Sequence, residues 1–331
     1  MTKIDIISGF LGAGKTTLIK KLLSEGFKGE QVVLIENEFG EIGIDGGFLK
    51  EAGIEIREMN SGCICCSLVG DFGKSLHEVV DTYHPDRILI EPSGVGKLSD
   101  VIKAVQDVQD EIDAELNSFT TVVDVTKCKI YRKNFGEFFS NQIEYAGAVI
   151  LSRTDKAKPE KIQESVALLR ELNEKAPIIT TPIEQLPGEK ILEAMESSKS
   201  LEEELLAEVA HEAHEHHHDH DHECGCGCGH HHHDHEGHHH ADDVFTSWGK
   251  ETIRTYTKEE IGNILKEEDG SYGNILRAKG MVAGADGEWI YFDMVPGEHE
   301  VRTGAPEYTG RICVIGAEIK EDKLAELFQV K

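Results

Sequence analysis

The chain has 331 residues, 39% hydrophobic and 29% charged, a balance that suits folded domains with sizeable cores. Lys and Arg number 34 against 62 Asp and Glu, and the net charge of −28 repels phosphate backbones and anionic lipid, so neither nucleic acid nor a membrane surface is an expected partner. No apolar run approaches the ~20 residues that span a bilayer, the opening MTKIDIISGF is too short and acidic for a signal peptide, and the setting expected from both is the reducing cytoplasm, with the eight Cys as ligands or buried thiols, not disulfides.

Apolar stretches at 4–8, 32–36, 87–91, 121–124, 148–151 and 178–180 read as strands. Most are short β-branched runs without polar alternation, the pattern of strands buried on both faces. Amphipathic helices lie between them. One carries Leu18, Ile19, Leu22 and Leu23, and another Phe72, Leu76, Val79 and Val80. A third opens at Pro159, with Ile162, Val166, Leu169 and Leu172 on one stripe. Strand–helix alternation predicts a three-layer α/β domain with a mostly parallel sheet over residues 1–200. Residues 201–243 read as a helix, near 202–213, leading into a disordered linker. Residues 244–331 read as a small α+β domain, with strands near 245–248, 275–282, 289–294 and 311–315 and helices near 258–266 and 322–328.

The first strand runs into Gly9-Phe-Leu-Gly12-Ala13-Gly14-Lys15-Thr16-Thr17, which fits G-x-x-x-x-G-K-[ST] between a strand and a helix. The glycines let backbone N–H groups approach phosphate oxygens without a Cβ in the way. Lys15 supplies a point charge for the β/γ oxygens, and the Thr16 hydroxyl can ligate Mg²⁺. Two further strand ends suit the same chemistry. Glu91, in Ile88-Leu-Ile-Glu91-Pro-Ser-Gly94, can hold Mg²⁺ through water, and the Gly94 N–H can sense a γ-phosphate. Asp155, after Ser152-Arg153-Thr154, can accept hydrogen bonds from the N1 and N2 donors of guanine.

Three thiols occur in four residues at Asn60-Ser-Gly62-Cys63-Ile64-Cys65-Cys66. Thiolates bind Zn²⁺ and Cu⁺ well, and C-x-C-C lacks the second pair of a closed structural site. An incomplete site suits a metal that must leave; a redox pair or buried apolar Cys are the bland alternatives. Cys128 and Cys313 stand alone and read as core thiols. Glu36-Asn37-Glu38-Phe39-Gly40-Glu41 ends the second strand, where Glu36 and Glu41 could complete a metal site; a solvated acidic loop is the alternative. Residues 211–240 hold 15 of the 18 His, with Cys224, Cys226 and Cys228 interleaved with Gly. Neutral imidazoles such as His216, His217, His218, His231 and His232, with those thiols, offer overlapping weak sites for Zn²⁺, Ni²⁺ or Co²⁺.

GFLGAGKTT, ENEFGE, NSGCICC and EPSG, with a His-rich insert and a small C-terminal domain, resemble the CobW-type family of P-loop GTPases, related to the hydrogenase and urease nickel-insertion GTPases. The resemblance covers almost the whole chain. It implies hydrolysis of GTP to GDP and phosphate, coupled to delivery of a transition metal, often zinc, to a client metalloprotein. It places the metal at Cys63, Cys65 and Cys66 with Glu36 and Glu41, and phosphate and Mg²⁺ at Gly12, Gly14, Lys15, Thr16, Thr17 and Glu91. Lys15, Thr16 and Glu91 are the catalytic set expected, and Gly9, Ala13, Gly94, Arg153 and Asp155 join the nucleotide site. Asp45 and Glu38 are the candidates for positioning water. A homodimer formed on GTP binding, a metal store, and a cobalt or nickel GTPase of a cobalamin pathway are the other expectations. The family's Asn-Lys-x-Asp here reads Ser152-Arg153-Thr154-Asp155. Ser152 is expected to lose the amide that braces neighbouring loops, and Arg153 to cover one face of the base, with GTP preference kept at lower affinity.

Overall fold

The computed structural model describes residues 1–36, 55–58, 69–109, 111–196, 246–267 and 271–330. The chain divides into two compact units, Met1–Ser197 and Ser198–Lys331. The Cys63–Cys66 motif, Glu38, Glu41, Asp45, the helix expected near 202–213 and the His-rich tract lie outside the described residues.

The first unit is built on seven strands: β1 (Thr2–Gly9), β2 (Val32–Glu36), β3 (Glu55–Glu58), β4 (Arg87–Glu91), β5 (Ala114–Asp124), β6 (Ala148–Ser152) and β7 (Ile178–Ile179). Their order is β3-β2-β4-β1-β5-β6-β7, and every pair is parallel. Helices α1 (Lys15–Lys21), α2 (Val69–Tyr83), α3 (Leu98–Gln109), α4 (Cys128–Asn134), α5 (Gly136–Glu144), α6 (Pro159–Arg170) and α7 (Gly188–Glu196) connect and cover them. Phe72, Leu76, Val105, Phe139, Ile143 and Leu169 pack with Ile4, Ile6, Ile88, Ile90 and Val149 in one core. Leu18, Ile19, Leu22, Ile191 and Met195 of the remaining helical segments are buried as well.

β5 begins at Ala114, seven residues before the stretch that reads as a strand. Its first half is polar because it belongs to a buried network at the start of the sheet. Asp5 accepts from Arg87 Nη1 at 2.5 Å, Ser118 Oγ at 2.5 Å and Asn117 Nδ2 at 2.8 Å. Arg87 also donates to Glu30 at 2.7 Å and to Glu196 at 3.1 Å, and lies over the Phe27 ring.

The second unit carries a six-stranded sheet. β8 (Thr246–Thr252), β10 (Asn274–Gly284), β11 (Trp289–Val295), β12 (Glu298–Gly304) and β13 (Gly310–Ala317) run antiparallel in the order β12-β11-β10-β13-β8. The short β9 (Thr255–Tyr256) pairs in parallel with β10. Helix α8 (Lys258–Ile264) starts at a capping box, with Thr257 accepting from the Glu260 N–H and Glu260 accepting from the Thr257 N–H. Helix α9 (Glu321–Leu327) leads to Phe328, whose ring stacks near Trp248 at 5.9 Å and Phe292 at 6.1 Å in the unit's core.

Candidate nucleotide and metal site

In a parallel sheet the carboxyl ends of the strands share one edge. That edge here holds Gly9, Glu36, Glu58, Glu91, Asp124 and Ser152, the last residues of β1 to β6. Glu36 and Glu91 are register partners on adjacent strands, as are Asp124 and Ser152. Neighbouring strands lie about 4.8 Å apart, so the backbones of Glu36 and Glu91 stand side by side at this edge.

The phosphate loop leaves β1 at Gly9. Gly9 has φ +145°, and a Cβ there would meet the Val122 carbonyl oxygen at 2.4 Å, so only glycine fits. Gly14 opens α1 in the left-handed region, and no side chain caps the helix. The first turn of a helix offers its own N–H groups no intrahelical acceptor, and Thr16 and Thr17 lie in that turn. Lys15 is 8% exposed; its Nζ donates to the Gly9 carbonyl at 3.1 Å and lies 3.7 Å from Glu91 Oε1. Thr16 is half-buried beside it and Thr17 is exposed. Ammonium and carboxylate thus meet at the foot of the loop, with the Thr16 hydroxyl next in sequence; oxygen donors of this kind suit Mg²⁺, and the ammonium suits phosphate.

Gly94 is buried against the loop, where a Cβ would meet the Leu11 backbone N at 2.9 Å and Cα at 3.1 Å. The loop is held from the other side by the end of β6 and the residue after it. Ser152 Oγ donates to the Ala13 carbonyl at 2.6 Å, so the hydroxyl keeps the brace that the sequence reading expected to be lost. Arg153, in the left-handed region at φ +59°, donates to Asp124 Oδ2 through Nη1 and to the Gly12 carbonyl through Nη2 at 3.0 Å. Its guanidinium is therefore turned to the phosphate loop and to Asp124. Asp155 sits exposed in the adjoining turn (Thr154–Lys156).

Residues that sequence reading did not single out complete the surroundings. Asp124 is 1% exposed, and its Oδ1 accepts the N–H and hydroxyl of Thr126 at 2.9 and 2.6 Å. Its signal was available, because an acid ends an apolar strand here as at Glu91. The Phe10 ring packs on Tyr131 at 4.4 Å and Phe135 at 4.9 Å, pinning the loop to α4. Cys128 is fully buried at the start of α4, and burial pushes its thiol up to about 11, which suits a core thiol. Cys313 is likewise fully buried, in β13.

Among the described residues no three His, Cys, Asp or Glu side chains are grouped to hold a metal ion. Of the expected transition-metal set only Glu36 is described, at the end of β2. Also among the described residues, no helix is long and apolar enough to cross a membrane.

A glycine-rich loop between the first strand and a helix, with a lysine and an acidic strand tip converging on it, defines a P-loop nucleotide-binding protein. Residues 3–180 match the "CobW/HypB/UreG, nucleotide-binding domain" and residues 245–330 the "Cobalamin synthesis protein cobW C-terminal domain". The chain belongs to the CobW/HypB/UreG family. It is 32% identical over 163 residues to the zinc chaperone YeiR of Escherichia coli, covering 49% of this chain and 50% of that one. It is 33% identical over 180 residues to the zinc chaperone CobW of a Sinorhizobium species, covering 45% and 50%. A zinc-regulated GTPase metalloprotein activator 1 of Schizosaccharomyces pombe is 28% identical over 194 residues, covering 54% and 45%. The chain spans about half the length of the curated relatives it matches.

Proposed function

We propose that this protein is a cytoplasmic GTPase that binds a transition metal, zinc foremost, and hands it to a client metalloprotein. The register pairing of Glu36 with Glu91 carries the reading. One is a candidate ligand of the cargo metal, the other of the nucleotide's Mg²⁺, and they end neighbouring strands. Movement of either strand tip is felt by the other, which is what coupled binding requires. The names of the curated relatives, zinc chaperones among them, support zinc as the cargo.

Asp155 reads guanine, while Gly12, Ala13, Gly14 and Thr17 present backbone N–H groups to phosphate. Lys15 neutralises the β/γ oxygens and Gly94 contacts the γ-phosphate. Thr16 and Glu91 would hold Mg²⁺, which when bound offsets charge on the β- and γ-oxygens. Water attacks the γ-phosphorus, the bond to the β-bridging oxygen breaks, and GDP and phosphate leave. Cys63, Cys65 and Cys66, with Glu36 and Glu41, take the cargo in the GTP state and release it after hydrolysis. The 211–240 tract gathers metal through His216, His217, His218, His231 and His232 with Cys224, Cys226 and Cys228. A second copy of the chain docks when GTP is bound.

The test is a Zn²⁺ titration of a variant lacking residues 211–240, once with a hydrolysis-resistant GTP analogue and once with GDP. At least about tenfold tighter zinc binding with the analogue is expected, equivalent to ~1.4 kcal/mol of coupling. Equal affinities would remove coupled release and leave a metal store as the reading.

A further inference from the structure

The loop between Glu91 and α3 is gripped by one helix. From α5, Glu137 pairs with Lys97 at 2.5 Å, and Asn141 accepts from the Ser99 N–H at 3.2 Å and donates to Ser99 Oγ at 3.0 Å. Next to Asn141 lies Gln142, 1% exposed on the stripe that also buries Phe139 and Ile143. Its Nε2 donates to the Gly96 carbonyl at 2.9 Å and to the Gly94 carbonyl at 3.4 Å. Its Oε1 meets no donor among the described residues. Turning the amide over would set oxygen against two carbonyl oxygens, so the donor orientation is forced. The helix is itself fixed to the sheet, because the Thr121 hydroxyl of β5 donates to the Gln142 carbonyl at 2.6 Å.

A polar side chain buried in an apolar stripe costs stability unless it serves its partners. The partners here are the backbone of Gly94 and Gly96, and Gly94 touches Leu11 of the phosphate loop. We propose that Gln142 is a positioning residue for the γ-phosphate contact: by holding the Gly94 and Gly96 carbonyls it aims the Gly94 N–H at the third phosphate. It touches neither nucleotide nor water itself. The inference rests on the reading of Gly94 as the γ-phosphate contact.

The experiment compares the full chain with Gln142→Met, which fills the same space without a donor, measuring affinity for GTPγS and for GDP along with turnover. The wild-type chain is expected to discriminate between the two nucleotides. The Met variant is expected to bind GTPγS about tenfold more weakly, to hold GDP within about twofold, and to lose turnover. A role in packing alone would lower the melting temperature and weaken both nucleotides together. Equal weakening, or unchanged discrimination, overturns the proposal. A wild-type chain that binds the two nucleotides equally overturns the γ-phosphate reading and this inference with it. Gln142→Ala removes the same donor without bulk and is read the same way should the Met variant not fold. If neither folds, Gln142 is a core residue only and the proposal falls.

Discussion

Arg153 separates two kinds of contact. A guanidinium lying on a base would serve guanine alone, whereas the fork seen here spans Asp124 and the Gly12 carbonyl and so steadies the phosphate loop. A ligand with phosphates and no base distinguishes the two. In Arg153→Ala, tripolyphosphate and GTP are expected to weaken by a similar factor, about five- to tenfold, or ~1–1.4 kcal/mol. Competition against a fluorescent GTP analogue measures both, and Arg153→Lys, a single point of charge, should recover only part of the loss. If tripolyphosphate is unaffected while GTP suffers, the side chain serves the base. The short Ser152 reaches Ala13 because β6 passes close to the loop: a Cβ on Gly14 would lie 3.6 Å from the Ser152 Cβ. The departure from Asn-Lys is thus accommodated by geometry that composition cannot reveal.

At the level of strands and helices, the buried ions around Arg87 tie β1, β4, β5 and α7 together. The carboxyl of Glu196 is opposed by burial, yet hydrogen bonds from Asn117 and Arg87 outweigh that and hold it below the usual carboxylate range. A group with a depressed folded pKa stabilises above its unfolded value of about 4.5 and loses that contribution as pH falls through the folded one. Melting temperatures measured at pH 7 and at pH 3.5 should therefore differ less in Glu196→Gln than in the wild-type chain. A difference as large in the variant would mean that another acid governs the decline. The same elements mark what sequence could and could not disclose. The strands at 32–36, 87–91 and 148–151 were legible because uninterrupted β-branched runs admit few other structures. The first half of β5 was hidden because Asn117 and Ser118 answer to Asp5, a partner 112 or 113 residues away. β12 was hidden for another reason: Glu298, His299, Glu300 and Arg302 form a solvent-facing edge with no apolar alternation to read. The phosphate loop was legible from G-x-x-x-x-G-K-T between a strand and a helix, and Glu91, Gly94 and Asp155 stood out by their places at strand ends. Asp124 carried the strand-end signal of Glu91 but finds Thr126 and Arg153 only in the folded chain, and Gln142 meets the Gly94 and Gly96 carbonyls only there.

For the whole molecule, metal content is the deciding quantity. The chain carries 15 imidazoles and three thiols within residues 211–240, and three more thiols at Cys63, Cys65 and Cys66. After equilibration with Zn²⁺ and desalting, the full chain is expected to retain several equivalents, and the chain without 211–240 close to one per molecule. Elemental analysis alongside protein concentration reads the ratio. Retention near zero after the deletion would describe a store whose only reservoir is the tract.

The ion cluster around Arg87 lies at the opposite end of the strands from the phosphate loop. Glu196 ends α7 on the floor of the sheet, bonded to residues near the beginnings of β1, β4 and β5. From Lys3 to Gly9 the strand climbs roughly 20 Å at ~3.3 Å per residue. Loss of these ions is therefore expected to register first in the melting temperature, because the phosphate loop at Gly9 stands a full strand length away.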